Sequence, residues 1–516
     1  MSIAIPEPNQ AHSEAEAKLA ADSLVSGLSF MLVANVLQRA VGFIRNIVLC
    51  GFLTDNQLGM WALASSFFVL AAPLAVLGLP GTFGRMVESY RSSGQLNLFL
   101  KRTGLFSLLG VLTCCLWLVL DSQGSSSLIF GDALSRATMI TIALALCAVI
   151  LFNTLTELLS GLRKARVVSA MHTCNSLVFT VASLGGLWVY NDWRVLVVAF
   201  AIAALAGVLP ALPILRDWKS VEASNVSQLP ARDMWSRVLP FAFSIWCMNL
   251  LTNLFDVIDR YMLLYLASES AEQGRALVGQ FHSGRIMPVL LSSLTFMISG
   301  ILLPYLASDW EAGRRKQVAD GMRLAFKFGT LFFMSLSVAS LAVAPFLFNT
   351  ILHGKYSDGL SIMPQAMLHC CFAAIAFLMQ NYFWCAEKGK TVGLIIAIGL
   401  LINVVLNLWL VPAYSLYGAM LATSIAGGAI LAMTLLAMHR AGVPLGSASI
   451  WFCMLPITLA FGCVPASIAL ATTLVLISRT DWLLSAAEQR SIDDAILPRL
   501  ERLGIVLPSL WFRTAR

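Results

Sequence analysis

Apolar runs of about 20 residues recur along the chain from Leu24 to Ile477, separated by short polar breaks. Such a run crosses a hydrocarbon core of about 30 Å as an α-helix. The runs are continuous and do not alternate at ten-residue lengths, so they predict helices and exclude a barrel. Crossings are expected over residues 24–52, 58–79, 103–120, 137–159, 167–189 and 195–215. A polar break, 216–237, follows, and six more are expected over 238–266, 277–303, 322–348, 362–386, 391–410 and 417–437. The fold class predicted is an all-α polytopic membrane protein.

The two ends read differently. Residues 1–23 carry Glu7, Glu14, Glu16 and Asp22 against Lys18, the wrong charge for the start of a signal peptide, so the first run is expected to stay as a membrane helix. Near the other end, residues 450–477 are long for one crossing and short for two, and contain Pro456, Gly462 and Pro465. The tail 479–516 carries Arg490, Arg499, Arg502, Arg513 and Arg516, which favours an even total of fourteen crossings with a short, Pro-kinked last pair at 447–478; thirteen also fits the pattern. Ile492, Ile496, Leu500 and Leu503 recur at helical spacing, suggesting an interfacial amphipathic helix interrupted at Pro498.

Charge tests this division, because Lys and Arg collect in cytoplasmic loops. One set of alternate loops holds Arg85, Arg91, Lys101 and Arg102; Arg163, Lys164 and Arg166; Arg216, Lys219, Arg232 and Arg237; Arg314, Arg315, Lys316, Arg323 and Lys327; Lys388 and Lys390; and Arg440. The intervening loops are short and carry Asp55, Asp121, Asp132, Asp192, Glu269, Glu272 and Asp358, with Arg194, Arg275 and Lys355 as the exceptions. The N-terminus is therefore expected in the cytoplasm, with the chain in the inner membrane of a bacterium. Composition agrees: 58% of residues are hydrophobic and 12% charged, with a mean hydropathy of +0.80. Soluble domains carry about 25% charged residues. The net charge of +7 belongs to these loops, and no basic tract with interleaved aromatics points to nucleic acid. The eleven cysteines lie almost wholly in apolar runs without a CxxC, which suits small core residues better than a metal site. Trp61, Trp188, Tyr190, Trp193, Tyr265 and Tyr356 fall near run ends and are expected in an interfacial belt.

The halves 24–215 and 238–440 look like parallel repeats, since six crossings return the chain to the same side. Gly161-Leu162-Arg163-Lys164-Ala165-Arg166-Val167 follows the fourth crossing and Ala386-Glu387-Lys388-Gly389-Lys390-Thr391-Val392 the tenth. Arg45 with Gly59 and Arg260 with Gly279 occupy matching places in the first two crossings of each half. Asn35-Val36-Leu37-Gln38-Arg39-Ala40-Val41-Gly42-Phe43-Ile44-Arg45, Leu58-Gly59-Met60-Trp61-Ala62-Leu63-Ala64, the basic turn at 161–166 and Asp256-Val257-Ile258-Asp259-Arg260 together resemble the polysaccharide flippases of the MOP superfamily, the Wzx-type exporters of lipid-linked oligosaccharides. The resemblance covers the chain to Ala437. It implies two lobes around a cavity that opens alternately to each side, and a polyprenyl-diphosphate-linked saccharide as substrate.

Ionisable residues within crossings cost about 2.5–3.5 kcal/mol each on insertion scales, so each calls for a reason. Arg39 lies about 22 Å along its helix from Leu24, near mid-membrane. Asp256, Asp259 and Arg260 fall at i, i+3 and i+4, and His282 and Arg285 share a face by the same spacing. Arg39, Arg45, Arg260, His282 and Arg285 are the candidate substrate-binding residues, since guanidinium groups grip phosphate oxygens bidentately. Asp256, Asp259 and Glu157 are candidates for coupling to H⁺ or Na⁺. The competing account pairs Asp256 with Arg260, lets Arg45 reach headgroups, and gives Glu157 an interfacial bridge to Arg163 or Lys164. The expected activity is a flippase, not an enzyme, with no cofactor. Membrane lipids, and other polysaccharide-assembly proteins, are its expected partners. A lipid II flippase and a multidrug extruder compete within the class; a membrane glycosyltransferase or polymerase competes from outside it, but would be expected to show a large catalytic loop. Gly78-Leu79-Pro80-Gly81 and Pro304 are expected to end the second and eighth crossings, either as plain helix stops or as gating hinges. A reporter that folds only in the cytoplasm is expected to be active when fused after Arg166 or Arg440 and inactive after Asp132 or Asp192; the reverse pattern would invert the topology.

Overall fold

The computed structural model describes residues 24–218, 230–443, 446, 448–480, 482–484 and 488–489. The expected amphipathic helix around 492–503 lies outside them. Among the described residues the elements are helices: α1 Leu24–Phe52, α2 Asp55–Val76, α3 Phe83–Ser92, α4 Leu96–Leu120, α5 Ser122–Phe130, α6 Arg136–Gly161, α7 Ala165–Val189, α8 Arg194–Ala206, α9 Leu212–Trp218, α10 Ala231–Leu266 and α11 Ala271–Gly284. The series continues with α12 Ile286–Glu311, α13 Arg315–Pro345, α14 Ser357–Ser361, α15 Met363–Cys385, α16 Gly389–Arg440, α17 Ala448–Met454 and α18 Cys463–Arg479. Ten helical stretches are long and apolar enough to cross a membrane, and α1, with 29 residues, has the length as well. The 52-residue α16 is a hairpin: Ser415 takes φ 50° and ψ −125°, and Asn403 on one limb donates to Thr423 on the other. Each of the twelve expected crossings thus has a helical counterpart.

The chain packs as two compact units, residues 1–283 and 284–516. This boundary of packing falls inside the eighth crossing, where the sequence predicts an unbroken helix. α11 ends at Gly284, and Arg285 caps the start of α12. Two further corrections concern prolines and aromatics. α12 does not stop at Pro304 but continues to Glu311, as membrane helices allow when neighbours satisfy the freed carbonyl. Trp61, Trp193 and Tyr356 belong to the core, at 6%, 6% and 0% exposure, whereas Trp188 and Tyr190 are exposed as a belt requires.

In the first unit, Thr54 caps α2 reciprocally with Gln57, and Asp55 complements the helix dipole. α2 ends where Leu77 and Gly78 turn left-handed, φ 47° and 69°. Gly78 is required there, since an added Cβ would stand 2.7 Å from the Trp246 Cβ. The ten residues of α3 were assigned to a loop on charge. They instead form a surface helix that buries Phe83, Met86, Val87 and Tyr90 against Phe99, Phe152 and Leu159, because apolar residues recur there at i, i+3, i+4 and i+7.

α2 is also the spine against which α10 and α11 lie. Asn253 of α10 donates to the Val69 carbonyl at 3.2 Å, and Arg260 donates to the Ser66 hydroxyl. α11 comes closer still: a Cβ on Gly59 would stand 1.8 Å from the Arg275 carbonyl oxygen, and one on Gly279 would stand 2.0 Å from that of Asp55. The two repeat-related glycines therefore meet backbone to backbone. Around them the short acidic loops are tied together: Gln280 donates to Asp55 at 2.7 Å, Asn56 to the Glu272 carbonyl and Gln57 to the Asn191 carbonyl. Arg275 reaches the Phe130 carbonyl and Asp132, and the Tyr265 hydroxyl lies 2.7 Å from the carbonyls of Ser127 and Leu128.

In the second unit, α15 is the buried centre, flanked by α12, α13 and the α16 hairpin. The hairpin closes tightly at Gly418, where a Cβ would stand 2.0 Å from the Leu410 carbonyl. The matching loops 161–167 and 386–392 close with one geometry. Arg163 and Glu387 both have left-handed φ, 59° and 55°, and the amides of Lys164 and Lys388 each reach back five residues, to Leu159 and Phe383. The C-terminal segment is a pair of shorter apolar helices divided at Gly462, φ 98°. Its first member passes from α17 into a 3₁₀ stretch, Leu455–Phe461.

Gly59→Ala is expected to lower the thermal unfolding midpoint in detergent, because its methyl meets backbone and overpacking costs about 1–3 kcal/mol. Gly104→Ala, where nothing lies within 4 Å, is expected to be neutral or to stabilise by up to about 1 kcal/mol through helix propensity. Equal effects of the two substitutions would refute the tight crossing.

Candidate functional site

Seven of the eight candidate residues lie in the first unit and Arg285 in the second. On α1, Arg39 is exposed, one residue after Gln38, whose amide donates to the Thr173 hydroxyl of α7 at 2.9 Å. That bond fixes α1 on α7. The Arg39 charge reaches His172, an exposed residue whose ring stands edge-on to Phe152 at 5.4 Å. Nothing in the sequence pattern pointed to His172, because one histidine in an apolar run carries no periodic partner.

Arg45 is placed otherwise than headgroup contact would require. Its guanidinium carbon lies 4.4 Å from the centroid of the Phe179 ring, and its Nε is buried with no hydrogen-bond partner. Phe179 belongs to an aromatic cluster with Trp61 at 5.7 Å and Phe200 at 5.4 Å, and Phe200 stacks on Phe68. A guanidinium laid on a ring gains about 0.5–2 kcal/mol of cation–π attraction and keeps its outer edge for an anion.

On α10 the carboxylates separate by environment: Asp259 is fully buried and Asp256 exposed. Arg260, the next residue after Asp259, is half-buried and anchored to Ser66, whose hydroxyl donates to the Ala62 carbonyl at 2.7 Å and accepts from the guanidinium. Glu157 is exposed on α6, four residues before that helix ends at Gly161. His282 is half-buried on α11, two residues before the helix ends. The i, i+3, i+4 spacing of Asp256, Asp259 and Arg260 does fall on one helix, α10, whereas His282 and Arg285 do not share a helical face: α11 ends at Gly284 and Arg285 is the N-cap of α12.

In the second unit, Arg285 stands at the start of α12, and its charge reaches His369 and Cys370 on α15. His369, 8% exposed, has Nδ1 3.2 Å from the Thr423 carbonyl. A chain of polar groups continues from there: Asn403 donates to the Thr423 hydroxyl, Asn407 to Asn403 at 3.1 Å, Ser424 to the Gln365 carbonyl at 2.9 Å, and Gln365 to the Tyr417 hydroxyl at 2.9 Å. This network ties α15 to both limbs of α16. It was not anticipated, although Asn403 and Asn407 stand at i, i+4 within an apolar run, which was a readable signal. The eleven cysteines are free thiols; Cys370 and Cys371 accept or donate weak contacts to Ser292 and Ser337.

The first unit offers the guanidinium groups of Arg39, Arg45 and Arg260 on apolar helices, a buried carboxylate at Asp259, and Ser66 and Phe179 as their supports. It suits holding and releasing an anion. Comparison with known proteins agrees on the kind of molecule. A family model described as polysaccharide biosynthesis protein matches residues 24–310, more than half of the chain. The uncharacterized membrane protein YabM of Bacillus subtilis (strain 168) is 25% identical over 439 residues, covering 80% of each chain. Among solved structures, the lipid II flippase MurJ in an inward closed conformation superposes with a TM-score of 0.62 at 14% identity, over 87% of this chain and 98% of that one. An inward-facing multidrug resistance MATE family transporter of the MOP superfamily gives 0.61 at 12% identity, over 80% and 98%. The chain thus shares its fold with these two structures, and it belongs to the polysaccharide biosynthesis protein family.

Proposed function

We propose that this protein is a flippase that carries an anionic, polyprenyl-diphosphate-linked oligosaccharide from the cytoplasmic to the outer leaflet of a bacterial inner membrane, by alternating access and without a covalent step. The observation that carries the reading is the excess of intramembrane arginine over carboxylate in a chain of this family: Arg39, Arg45, Arg260 and Arg285 stand within or between apolar crossings. A diphosphate presents planar sets of oxygens that a guanidinium fork meets with two parallel hydrogen bonds. An organic cation, the cargo of a multidrug extruder, would be repelled by the same groups.

In this reading the guanidinium groups of Arg39, Arg260 and Arg285 are each available to diphosphate oxygens, His282 is a further donor, and Arg45 presents the edge left free by Phe179. The tied loops around Gly59 and Gly279 keep one end of the first unit shut and separate when the outer leaflet is served. Asp259, buried beside Arg260, and Asp256 and Glu157 are the groups that would bind H⁺ or Na⁺ to drive the cycle. A second reading, flipping of lipid II, is favoured by the likeness to a lipid II flippase over nearly the whole of that structure. Both substrates are polyprenyl diphosphates, and the arginines suit either.

Deleting the gene and identifying the lipid-linked intermediate that accumulates in the cytoplasmic leaflet distinguishes the two, a peptidoglycan precursor supporting the second. In complemented cells, Arg39→Ala, Arg260→Ala and Arg285→Ala are each expected to cut export about 10- to 100-fold, the value of one charge-assisted hydrogen bond, with the protein still inserted. Normal export by all three variants would exclude the phosphate grip. Asp259→Asn is expected to abolish the response of export to H⁺ or Na⁺ gradients, and export indifferent to both gradients in the unmodified protein would remove ion coupling.

A further inference from the structure

The C-terminal pair of helices is attached to the second unit along α13. The Cys463 thiol lies 3.7 Å from the Val338 carbonyl, and Phe452 of α17 stands edge-on to Phe326 of α13 at 6.2 Å. Beyond α18 the described residues 482–484 and 488–489 pack on this surface. Leu483 and Leu484 are fully buried, Trp482 packs edge-on to Trp451 at 6.0 Å, and the Gln489 amide caps the carbonyls of Ile477 and Leu484 at 3.2 and 3.1 Å.

The decisive contact is ionic. Lys327, one helical turn above the buried Thr330 and itself only 8% exposed, directs its ammonium to both oxygens of Glu488, each at 2.8 Å. Charge alone had assigned Lys327 to a basic loop, but α13 begins twelve residues earlier, at Arg315, and carries Lys327 into its packed face. A desolvated lysine that has lost its partner is strongly unfavourable, whereas a matched pair or an apolar pair of similar volume is tolerated. The carboxylate therefore determines where the segment after α18 rests.

We propose that residues 482–484 together with Glu488 and Gln489 form a staple that keeps α17 and α18 fastened to α13, so that these three helices move as one body and the Lys327–Glu488 bond stays closed while the protein works. The staple itself follows from the packing; its persistence during transport rests on the transporter reading above.

The test uses the full-length protein. Lys327→Met and Glu488→Gln are each expected to speed tryptic cleavage at Arg479 and Arg490 about tenfold or more, from the cost of an unpaired buried charge. The double replacement Lys327→Met with Glu488→Met, and the swap Lys327→Glu with Glu488→Lys, are expected to restore most of the protection. Unchanged cleavage in both single variants would overturn the staple, as would equal cleavage in the single and double variants. In a chain carrying Lys327→Cys and Glu488→Cys, a short bis-maleimide is expected to join the two positions in high yield and leave export at the level of the untreated variant. Export lost only on cross-linking would show that the bond must open, and would overturn its persistence. If the untreated protein exports nothing, the transport reading fails, while protease protection and cross-linking yield still decide the staple.

Discussion

Hydrocarbon offers no hydrogen bond, and most of this chain is arranged to meet that condition. Every polar group carried into the bilayer has to find its partner within the protein. The simplest solution recurs along the helices: Ser66, Thr103, Thr156, Thr330 and Thr434 each turn their hydroxyl back to a carbonyl four residues earlier. Groups too large for that are solved in pairs, as Gln38 with Thr173 and Ser299 with Asn381. Where no oxygen is at hand, a ring serves, as Phe179 does for Arg45.

The same condition explains what the sequence made legible. Crossings were readable because a helix in lipid must be continuous and about 20 residues long, and length survives any detail of packing. The hairpin at Ser415 was readable for that reason, as two crossings joined by Pro412, Tyr414 and Ser415. The break at Gly284 was not: the expected crossing began at Leu277, and the polar residues Gln280, His282, Ser283 and Arg285 that flank the break were absorbed into an apolar run instead of marking a helix end. α3 was hidden differently, because Arg85, Glu88 and Arg91 outweighed the spacing of Phe83, Met86, Val87 and Tyr90.

Of the candidate site, the sequence yielded the cost but not the compensation. It identified Arg39, Arg45, Asp259, Arg260 and Arg285 as charges that need a reason to be where they are. It gave no means of finding Ser66 under Arg260, Phe179 under Arg45 or His369 near Arg285, since each partner lies on a helix distant in the chain. Gly59 and Gly279 were noticed as matching positions in two repeats. That they face each other across one crossing is a property of the folded first unit, and small residues at such a point let backbones approach as closely as in other membrane helix pairs.

The 3₁₀ stretch Leu455–Phe461 has a consequence for the surrounding lipid. Its rise of about 2.0 Å per residue lengthens the first C-terminal helix, yet the fourteen residues from Ala448 to Phe461 still reach only about 25 Å, and the seventeen of α18 about the same. Both fall short of a hydrocarbon core of about 30 Å. A bilayer meets such a deficit by thinning beside the short helices. In a bilayer that this pair crosses, the acyl chains beside it would be shorter and less ordered than those against helices of full length.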